Sequence, residues 1–219
     1  MKKIILFFMG ITIIMFADKV KIFNKDLFNH YLQWETKKVL KKEVLRLDNN
    51  ITVFNCIQYL KEIQNHNMLE IKYNYYTLSQ YLNCLPAKEF QKKDYKVEYL
   101  KKSDIDYSQV ILNHLDLNLF RSSLHQKIRY EEKTKQVVLI TDLLGKPKTK
   151  TNIKLFFVND EEWEYTFEVI AISKSKDKQE IYFTFRDEAK KSSYIGFSLL
   201  KLINYKNKNK NKNFDLIEL

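Results

Sequence analysis

The sequence predicts an α+β protein in which a helical N-terminal half packs with a C-terminal antiparallel β-meander of about five or six strands. Apolar residues recur at spacings of three and four up to residue 128, which is typical of amphipathic helices. From residue 136 onward, short runs rich in Phe, Tyr, Ile and Val alternate with turn residues, as in antiparallel sheets. The predicted organisation is a signal peptide at 1–17, a mainly helical region at 18–130 and an antiparallel β-rich region at 131–219. No linker rich in proline or glycine separates the last two regions, so one compact domain is as consistent with the sequence as two.

The first seventeen residues have the composition of a secretory signal peptide. Lys2 and Lys3 precede an apolar run of thirteen residues at 4–16, and Ala17 stands before the charged Asp18. A helix that crosses a membrane needs about twenty apolar residues, so an uncleaved anchor is the weaker alternative. We therefore expect cleavage near Asp18 and an exported, soluble product, periplasmic or extracellular, with no transmembrane segment after cleavage.

Four helices are predicted in the first region. Asn24 is a suitable N-cap for the first helix, and Pro86 is expected to end the third. The fourth helix is expected to break near Asp116, and the charged segment at 87–107 is interpreted as a loop or short strand. The predicted helices lie at 24–47, 51–63, 68–85 and 108–128. In the third of these, Ile71, Tyr73 and Tyr75 also alternate as they would in a strand, which is the alternative for that segment.

The predicted strands of the second region are separated by recognisable turns. Gly145 and Pro147 mark the first turn, and Asn159 with Asp160 marks a hairpin. The predicted strands lie at 137–141, 153–158, 163–172, 181–186, 194–205 and 214–219.

Cys56 and Cys84 are the two cysteines of the chain, and an even pair in an oxidising compartment predicts a disulfide. If 51–63 and 68–85 form an antiparallel helical hairpin, Cys56 near the start of one helix and Cys84 near the end of the other meet at the same end. Such a bridge stabilises the fold by about 3 to 4 kcal/mol in the chain-entropy model. The alternative is two buried thiols that pack as small apolar side chains.

The chain is basic, with 38 Lys and Arg against 27 Asp and Glu and a formal net charge of +11. In an exported protein this charge predicts an anionic partner or surface, and the compartment argues against nucleic acid. A strict Lys-Asn alternation at 206–213 forms a candidate loop for an anionic surface, and its lysines are Lys206, Lys208, Lys210 and Lys212. The alternative is a solvated loop of low complexity.

Motifs for catalysis, cofactors and metals are absent from the sequence. Gly145 and Gly196 are the only glycines after the apolar run, which excludes a glycine-rich loop for phosphate, and the four histidines have no ligand spacing. The remaining catalytic candidates are carboxylates, namely Asp104 or Asp106 converging with Glu162. The sequence therefore predicts no cofactor and no metal, and it favours a protein that is not an enzyme.

Tyrosines are concentrated in the middle of the chain, where they predict a surface for a protein partner because tyrosine offers a large contact area and a polar group. The candidate residues are Tyr73, Tyr75, Tyr76, Tyr95 and Tyr99. The function expected from these observations is an exported, soluble, non-catalytic interaction protein of the bacterial envelope, such as an inhibitor or immunity-type protein with an acidic partner. The alternatives are a cell-wall or lipid hydrolase that uses paired carboxylates and a peripheral membrane-associated protein held by lysines.

Overall fold

A computed structural model describes eleven segments of the chain. They comprise residues 19–23, 45–47, 51–65, 81–92, 95–119, 122–124, 128, 137–159, 162–175, 178–205 and 214–218. The predicted signal peptide, the Lys-Asn loop and most of the first predicted helix lie outside these residues. None of the described helices combines the length and the apolar character that a membrane crossing requires.

Strands dominate the described residues. The strands are β1 Lys19–Ile22, β2 Leu45–Arg46, β3 Thr52–Val53, β4 Lys96–Tyr99, β5 Thr149–Lys150, β6 Lys154–Asn159, β7 Trp163–Lys174, β8 Lys178–Ala189, β9 Ile195–Tyr205 and β10 Phe214–Glu218. The α-helices are α1 Cys56–Asn65, α2 Cys84–Lys92, α3 Tyr107–His114 and α4 Ile140–Leu144, and a 3-10 turn spans Leu117–Leu119.

Eight of these strands form one mixed sheet in the order β10-β9-β8-β7-β1-β4, and β6 joins β7 with β5 beyond it. All pairs are antiparallel except β1 with β4, which is parallel and aligns Lys19 with Lys96. β2 and β3 form a separate two-stranded sheet. The long strands β7, β8 and β9 therefore make the centre of the fold.

The predicted architecture of a helical half packed with a meander is wrong. β1 and β4 come from the N-terminal region and extend the same sheet as the C-terminal strands, and the described helices have ten residues or fewer. At the end of the predicted helix 24–47, Leu45 pairs with Val53, and burial alternates from Leu45 to Leu47. Burial that alternates from one residue to the next is typical of a strand, which has a period of two residues. Cross-strand pairing therefore overrides the helical spacing of the apolar residues there.

Individual helix boundaries also differ from their predictions. α2 continues past Pro86, because proline is tolerated in the first turn of a helix, where backbone N–H groups lack intrahelical partners. The predicted helix 108–128 breaks next to Asp116 as expected, since α3 ends at His114 and residues 123, 124 and 128 are helical again. The predicted strand 137–141 is wrong at its end, where α4 begins at Ile140. Gly145 ends α4 with a φ of 65°, a conformation that favours glycine.

The two faces of the sheet bury two separate apolar cores. On one face, Phe183 and Phe185 of β8 pack with residues of α3 and α4. On the other face, Tyr182 packs with residues of α1, α2, β2 and β3. Because successive side chains of β8 point to opposite faces, this one strand contributes to both cores.

The predicted disulfide between Cys56 and Cys84 is confirmed, with the two Cα atoms 5.4 Å apart. Residues 66–80 of the predicted helical hairpin lie outside the described residues. Cys56 begins α1, and Cys84 begins α2, which follows the helical residues Tyr81 and Leu82. Both cysteine side chains are buried in the second core. The bridge therefore joins the first turns of the two helices that cover one face of the sheet.

A polar network buried in the same face connects α2 to the sheet. Glu180, 2 % exposed, accepts hydrogen bonds from Ser173 Oγ at 2.8 Å and from Lys178 Nζ at 2.6 Å. The Tyr182 hydroxyl lies 3.1 Å from Glu180 Oε2 and 2.5 Å from Glu89 Oε2 of α2. Since a phenol has one hydrogen, this hydroxyl is shared between two carboxylates and links the helix to β8.

Burial and the neighbouring charges shift the pKa values of Glu180 and Tyr182 in this network. Burial raises the pKa of Glu180, but hydrogen bonds from Lys178 and Ser173 and the charges of Lys178 and Lys201 outweigh burial and hold it below its usual value. Burial and the neighbouring carboxylates raise the pKa of Tyr182 far above that of a free tyrosine. Lys201 also forms an ion pair with Glu89 at 3.2 Å. At neutral pH the network therefore holds an ionised Glu180 and a protonated Tyr182.

Replacing Gly196 with alanine should destabilise the fold by about 1 to 3 kcal/mol through overpacking. A Cβ atom at Gly196 would overlap Oδ1 of the buried Asp187 and come within 2.8 Å of the Tyr194 hydroxyl. The carboxylate cannot move freely, because it accepts hydrogen bonds from Ser123 N at 3.3 Å and from the Tyr194 hydroxyl at 3.2 Å. Urea denaturation measures the loss. The control Ser198→Ala on the same strand should change stability by less than about 0.5 kcal/mol, and equal midpoints for both variants would contradict the prediction.

Candidate functional site

The sheet divides in the middle of β7. The register shifts between Val169 and Ala171, so the bulge falls at Ile170. Val169 N donates to Ile153 O beyond the start of β6, whereas Ile170 O accepts from Phe23 N just after β1. The same edge of β7 therefore pairs first with β6 and then with β1, and the two branches part at this bulge.

A cavity of about 490 Å³ lies where the branches part. One wall is the segment Lys101–Ser103, which follows β4, and the other is the turn at 151–154 that leads into β6. Asn152 joins the walls, because its Nδ2 donates to Ser103 O at 2.6 Å and its carbonyl accepts from Ser108 N at 3.1 Å. The lining residues are Lys101, Lys102, Ser103, Thr151, Asn152, Ile153, Lys154 and Glu168.

The cavity has a positive charge balance, with three lysines and one glutamate in its lining. Lys154 pairs with Glu168 at 3.1 Å. Lys101 and Lys102 are exposed, and neither forms an ion pair with a carboxylate of the described residues. Two ammonium groups are therefore available to a ligand in the cavity.

Further hydrogen-bond donors and an apolar surface complete the lining. The Thr151 hydroxyl accepts from Ile153 N at 3.4 Å, and its own hydrogen has no acceptor among the described residues. Ser103, in contrast, uses its hydroxyl on Ile105 O at 2.9 Å. The half-buried Ile153 adds an apolar contact. The arrangement suits a negatively charged group attached to a less polar body.

The carboxylates proposed from the sequence for hydrolysis do not converge. Asp106 caps α3 through Gln109 N and pairs with Lys150 at 2.9 Å, whereas Glu162 pairs with Lys191 at 3.3 Å. Lys150 is aligned with Leu155 at the start of β6, and Glu162 follows its end, so most of this strand separates the two acids, roughly 13 Å at 3.3 Å per residue.

The pKa of Asp106 reflects its structural role. Partial desolvation raises this pKa, but hydrogen bonds from Lys150 and Gln109 N and the charge of Lys150 lower it further than desolvation raises it. Asp106 is therefore held ionised as the N-cap of α3. Asp104 is exposed in the loop that precedes this cap.

The candidate tyrosine surface falls only partly within the described residues. Tyr95 is 9 % exposed and packs edge-on against Phe90, with ring centroids 5.9 Å apart. Tyr99 on β4 is 38 % exposed. The candidates Tyr73, Tyr75 and Tyr76 lie outside the described residues, as do the four lysines of the Lys-Asn loop. The protein-partner surface therefore stays a prediction, with Tyr99 as its accessible member.

Sequence reasoning did not identify the lysine cavity. Lys101 and Lys102 were part of a charged segment without periodicity, and Lys154 was the edge of a predicted strand. Three-dimensional proximity comes from the bulge in β7, which has no signature in the local sequence. Adjacent lysines beside turn residues were the signal that could have drawn attention to this region.

The described residues contain no group of three His, Cys, Asp or Glu side chains that could hold a metal ion. The cavity contains two lysines that form no ion pair among the described residues, so its chemistry can be interpreted from the side chains themselves. Comparison with protein-family models, with curated proteins and with solved structures finds no match to this chain.

Proposed function

We propose that this chain is an exported, non-catalytic binding protein of the bacterial envelope that holds an anionic partner in the lysine cavity. The observation that carries the proposal is the pair Lys101 and Lys102, which line a 490 Å³ cavity without forming ion pairs with described carboxylates. Charge complementarity of this kind speeds association and selects a partner of the opposite sign. The net charge of +11 adds long-range attraction for the same partners.

Binding fits the lining of this cavity better than turnover does. Its one carboxylate, Glu168, is engaged by Lys154, and the other lining side chains are lysines, hydroxyls, an amide and an isoleucine. A general base must have its carboxylate within hydrogen-bond reach of the proton it removes, whereas the carboxylate of Glu168 is held by the ammonium group of Lys154. Inhibitors and immunity-type proteins belong to the proposed class, because they capture an acidic target without transforming it.

Two observations support export. The disulfide between Cys56 and Cys84 is of a kind that persists in oxidising compartments. The basic and apolar pattern of residues 1–17 is that of a signal peptide. An envelope offers many anionic groups, including lipid head groups and acidic polymers, to a protein exported there.

The double variant Lys101→Gln/Lys102→Gln should bind polyanions about thirtyfold more weakly than the wild type, since each of the two near-surface lysines contributes about 1 kcal/mol to binding an anionic surface and about 1.4 kcal/mol is a tenfold change in affinity. Isothermal titration calorimetry with polyglutamate and with polyphosphate measures the affinities. Two polyanions are used so that the test covers both carboxylate and phosphate partners.

The matched control is Lys61→Gln/Lys174→Gln, which removes two charges from exposed positions on α1 and at the end of β7. It lowers the net charge by the same amount but leaves the cavity lining intact. If the affinity for polyanions falls by the same factor in both double variants, polyanions bind to the general positive charge of the surface, and the proposed function of the cavity is wrong.

A further inference from the structure

We infer that the group held in the cavity is a phosphate ester, and that Glu168 is a built-in competitor which lowers the affinity for it. This inference rests on the proposed function and names the chemistry of its partner. It depends on the types of donor in the lining, on the size of the cavity and on the ion pair between Lys154 and Glu168.

The donors favour phosphate over carboxylate. Every cation among the described lining residues is a lysine, a compact charge with hydrogens that can point in several directions. A phosphate monoester brings nearly two negative charges and three acceptor oxygens on one group, whereas a carboxylate brings one charge and two oxygens. One phosphate group has enough oxygens to accept a separate hydrogen bond from each of the three donors Lys101, Lys102 and the Thr151 hydroxyl.

The volume of the cavity favours an organic phosphate ester over inorganic phosphate. A water molecule occupies about 30 Å³ of liquid, so a cavity of about 490 Å³ has room for much more than one inorganic phosphate. Ile153 lines the same space and can contact carbon atoms of the alcohol part. Pockets for organic ligands have volumes in this range.

Glu168 opposes an anion in two ways. Its carboxylate lines the cavity and repels negative charge, and it also engages Lys154 at 3.1 Å. An entering phosphate must therefore compete with Glu168 for this lysine. Removing the charge of Glu168 should therefore improve binding, whereas removing the charge of a glutamate outside the cavity should leave the affinity unchanged.

The test measures glycerol 1-phosphate binding to the wild-type chain and to Glu168→Gln by calorimetry. We expect about tenfold tighter binding by the variant, because a unit charge a few ångströms from the ligand interacts substantially even at a partly exposed site. The control Glu164→Gln removes a glutamate from the same face of β7. This glutamate also pairs with a lysine, Lys190 at 3.2 Å, and its side chain is 33 % exposed against 32 % for Glu168. Unchanged affinity is expected for the control, and equal gains in both variants would overturn the role of Glu168.

Succinate is the matched carboxylate probe, because it carries two negative charges on planar groups. It should bind at least about tenfold more weakly than glycerol 1-phosphate if the donors select a group that carries nearly two charges and three acceptor oxygens together. Succinate binding as tightly would overturn the phosphate inference but leave the proposed anion-binding function standing. If neither probe binds and the polyanions ignore the Lys101 and Lys102 substitutions, both proposals are wrong.

The phosphate ester can come from a lipid headgroup or from a free ester or polymer, and vesicles distinguish these sources. If the protein co-sediments with phosphatidylglycerol vesicles and glycerol 1-phosphate prevents this co-sedimentation, the ligand is the lipid headgroup. Binding of glycerol 1-phosphate without retention on these vesicles assigns a free or polymeric ester. Retention on phosphatidylglycerol that persists in the Lys101→Gln/Lys102→Gln variant would place membrane binding elsewhere and contradict the headgroup assignment.

Discussion

Replacing Glu180 with alanine is expected to destabilise the folded protein by about 3 to 5 kcal/mol. The carboxylate is buried and accepts hydrogen bonds from Ser173 and Lys178, and the Tyr182 hydroxyl lies close to it. Alanine leaves the buried Ser173 hydroxyl without this acceptor and removes the charge that Lys178 pairs with at 2.6 Å. Urea denaturation at neutral pH measures the effect.

The pH dependence gives this prediction a second readout. The pKa of Glu180 is lower in the folded protein than its ordinary value of 4.5. A depressed folded pKa contributes stability above the unfolded value, and this contribution disappears as the pH falls through the folded pKa. The stability difference between the wild type and Glu180→Gln should therefore be largest at neutral pH and shrink as the pH falls below about 4.5.

Glu98→Ala is the matched control, because Glu98 is exposed on β4. Its effect should stay within about 0.5 kcal/mol. Glu180→Gln keeps the volume and one acceptor oxygen, so its cost at neutral pH should fall between those of the control and Glu180→Ala. A Glu180→Ala variant as stable as the control would show that the network contributes nothing to folding.

The C-terminal strands could be predicted because their signals are local. Val158 and Trp163 belong to runs rich in aromatic and β-branched residues, and Asn159 pairs with Trp163 as the predicted hairpin requires. β7 and β8 extend beyond their predicted ends but lie where the alternation placed them. Strands of this length, rich in aromatic and β-branched residues, express their period clearly even in isolation.

The N-terminal strands could not be predicted in the same way. β1 has four residues and β2 and β3 have two each, which is too short to establish a period. β1 also pairs with partners far away in the chain, since Lys19 is aligned with both Lys96 and Lys174. Their strand conformation is a consequence of tertiary pairing. β2 and β3 fall within the predicted helices 24–47 and 51–63, and β1 precedes the first of these.

The candidate site depends on the same kind of long-range information. Lys101 and Lys154 become neighbours because the bulge at Ile170 lets β6 and β1 share one edge of β7. The basic net charge predicted an anionic partner. The candidate residues for binding it were the lysines of the Lys-Asn loop, which lies outside the described residues. The disulfide partners, in contrast, could be identified because the chain has only two cysteines.

Removing the disulfide is expected to cost about 3 to 4 kcal/mol, the chain-entropy value for a bridge between residues 28 positions apart. For a chain of this size the loss corresponds to a fall in Tm of roughly 6 to 16 °C. Calorimetry of the wild type with and without reductant, and of Cys56→Ala/Cys84→Ala, measures it. The variant should melt near the reduced wild type and should not respond to reductant.

Hydrogen exchange shows which part of the fold the disulfide stabilises. Cys56 and Cys84 join the first turns of α1 and α2, and both side chains are buried in the core that these helices form against the sheet. Without the bridge, no covalent link joins these helices to each other, so local opening there requires less free energy. Hydrogen exchange should therefore accelerate in α1 and α2 on reduction, while the amides of β8 and β9, at the centre of the sheet, retain more of their protection. Uniform acceleration in the helices and the central strands would instead mean that the bridge stabilises the fold only as a whole. An unchanged Tm on reduction would show that noncovalent contacts alone hold both helices on the sheet.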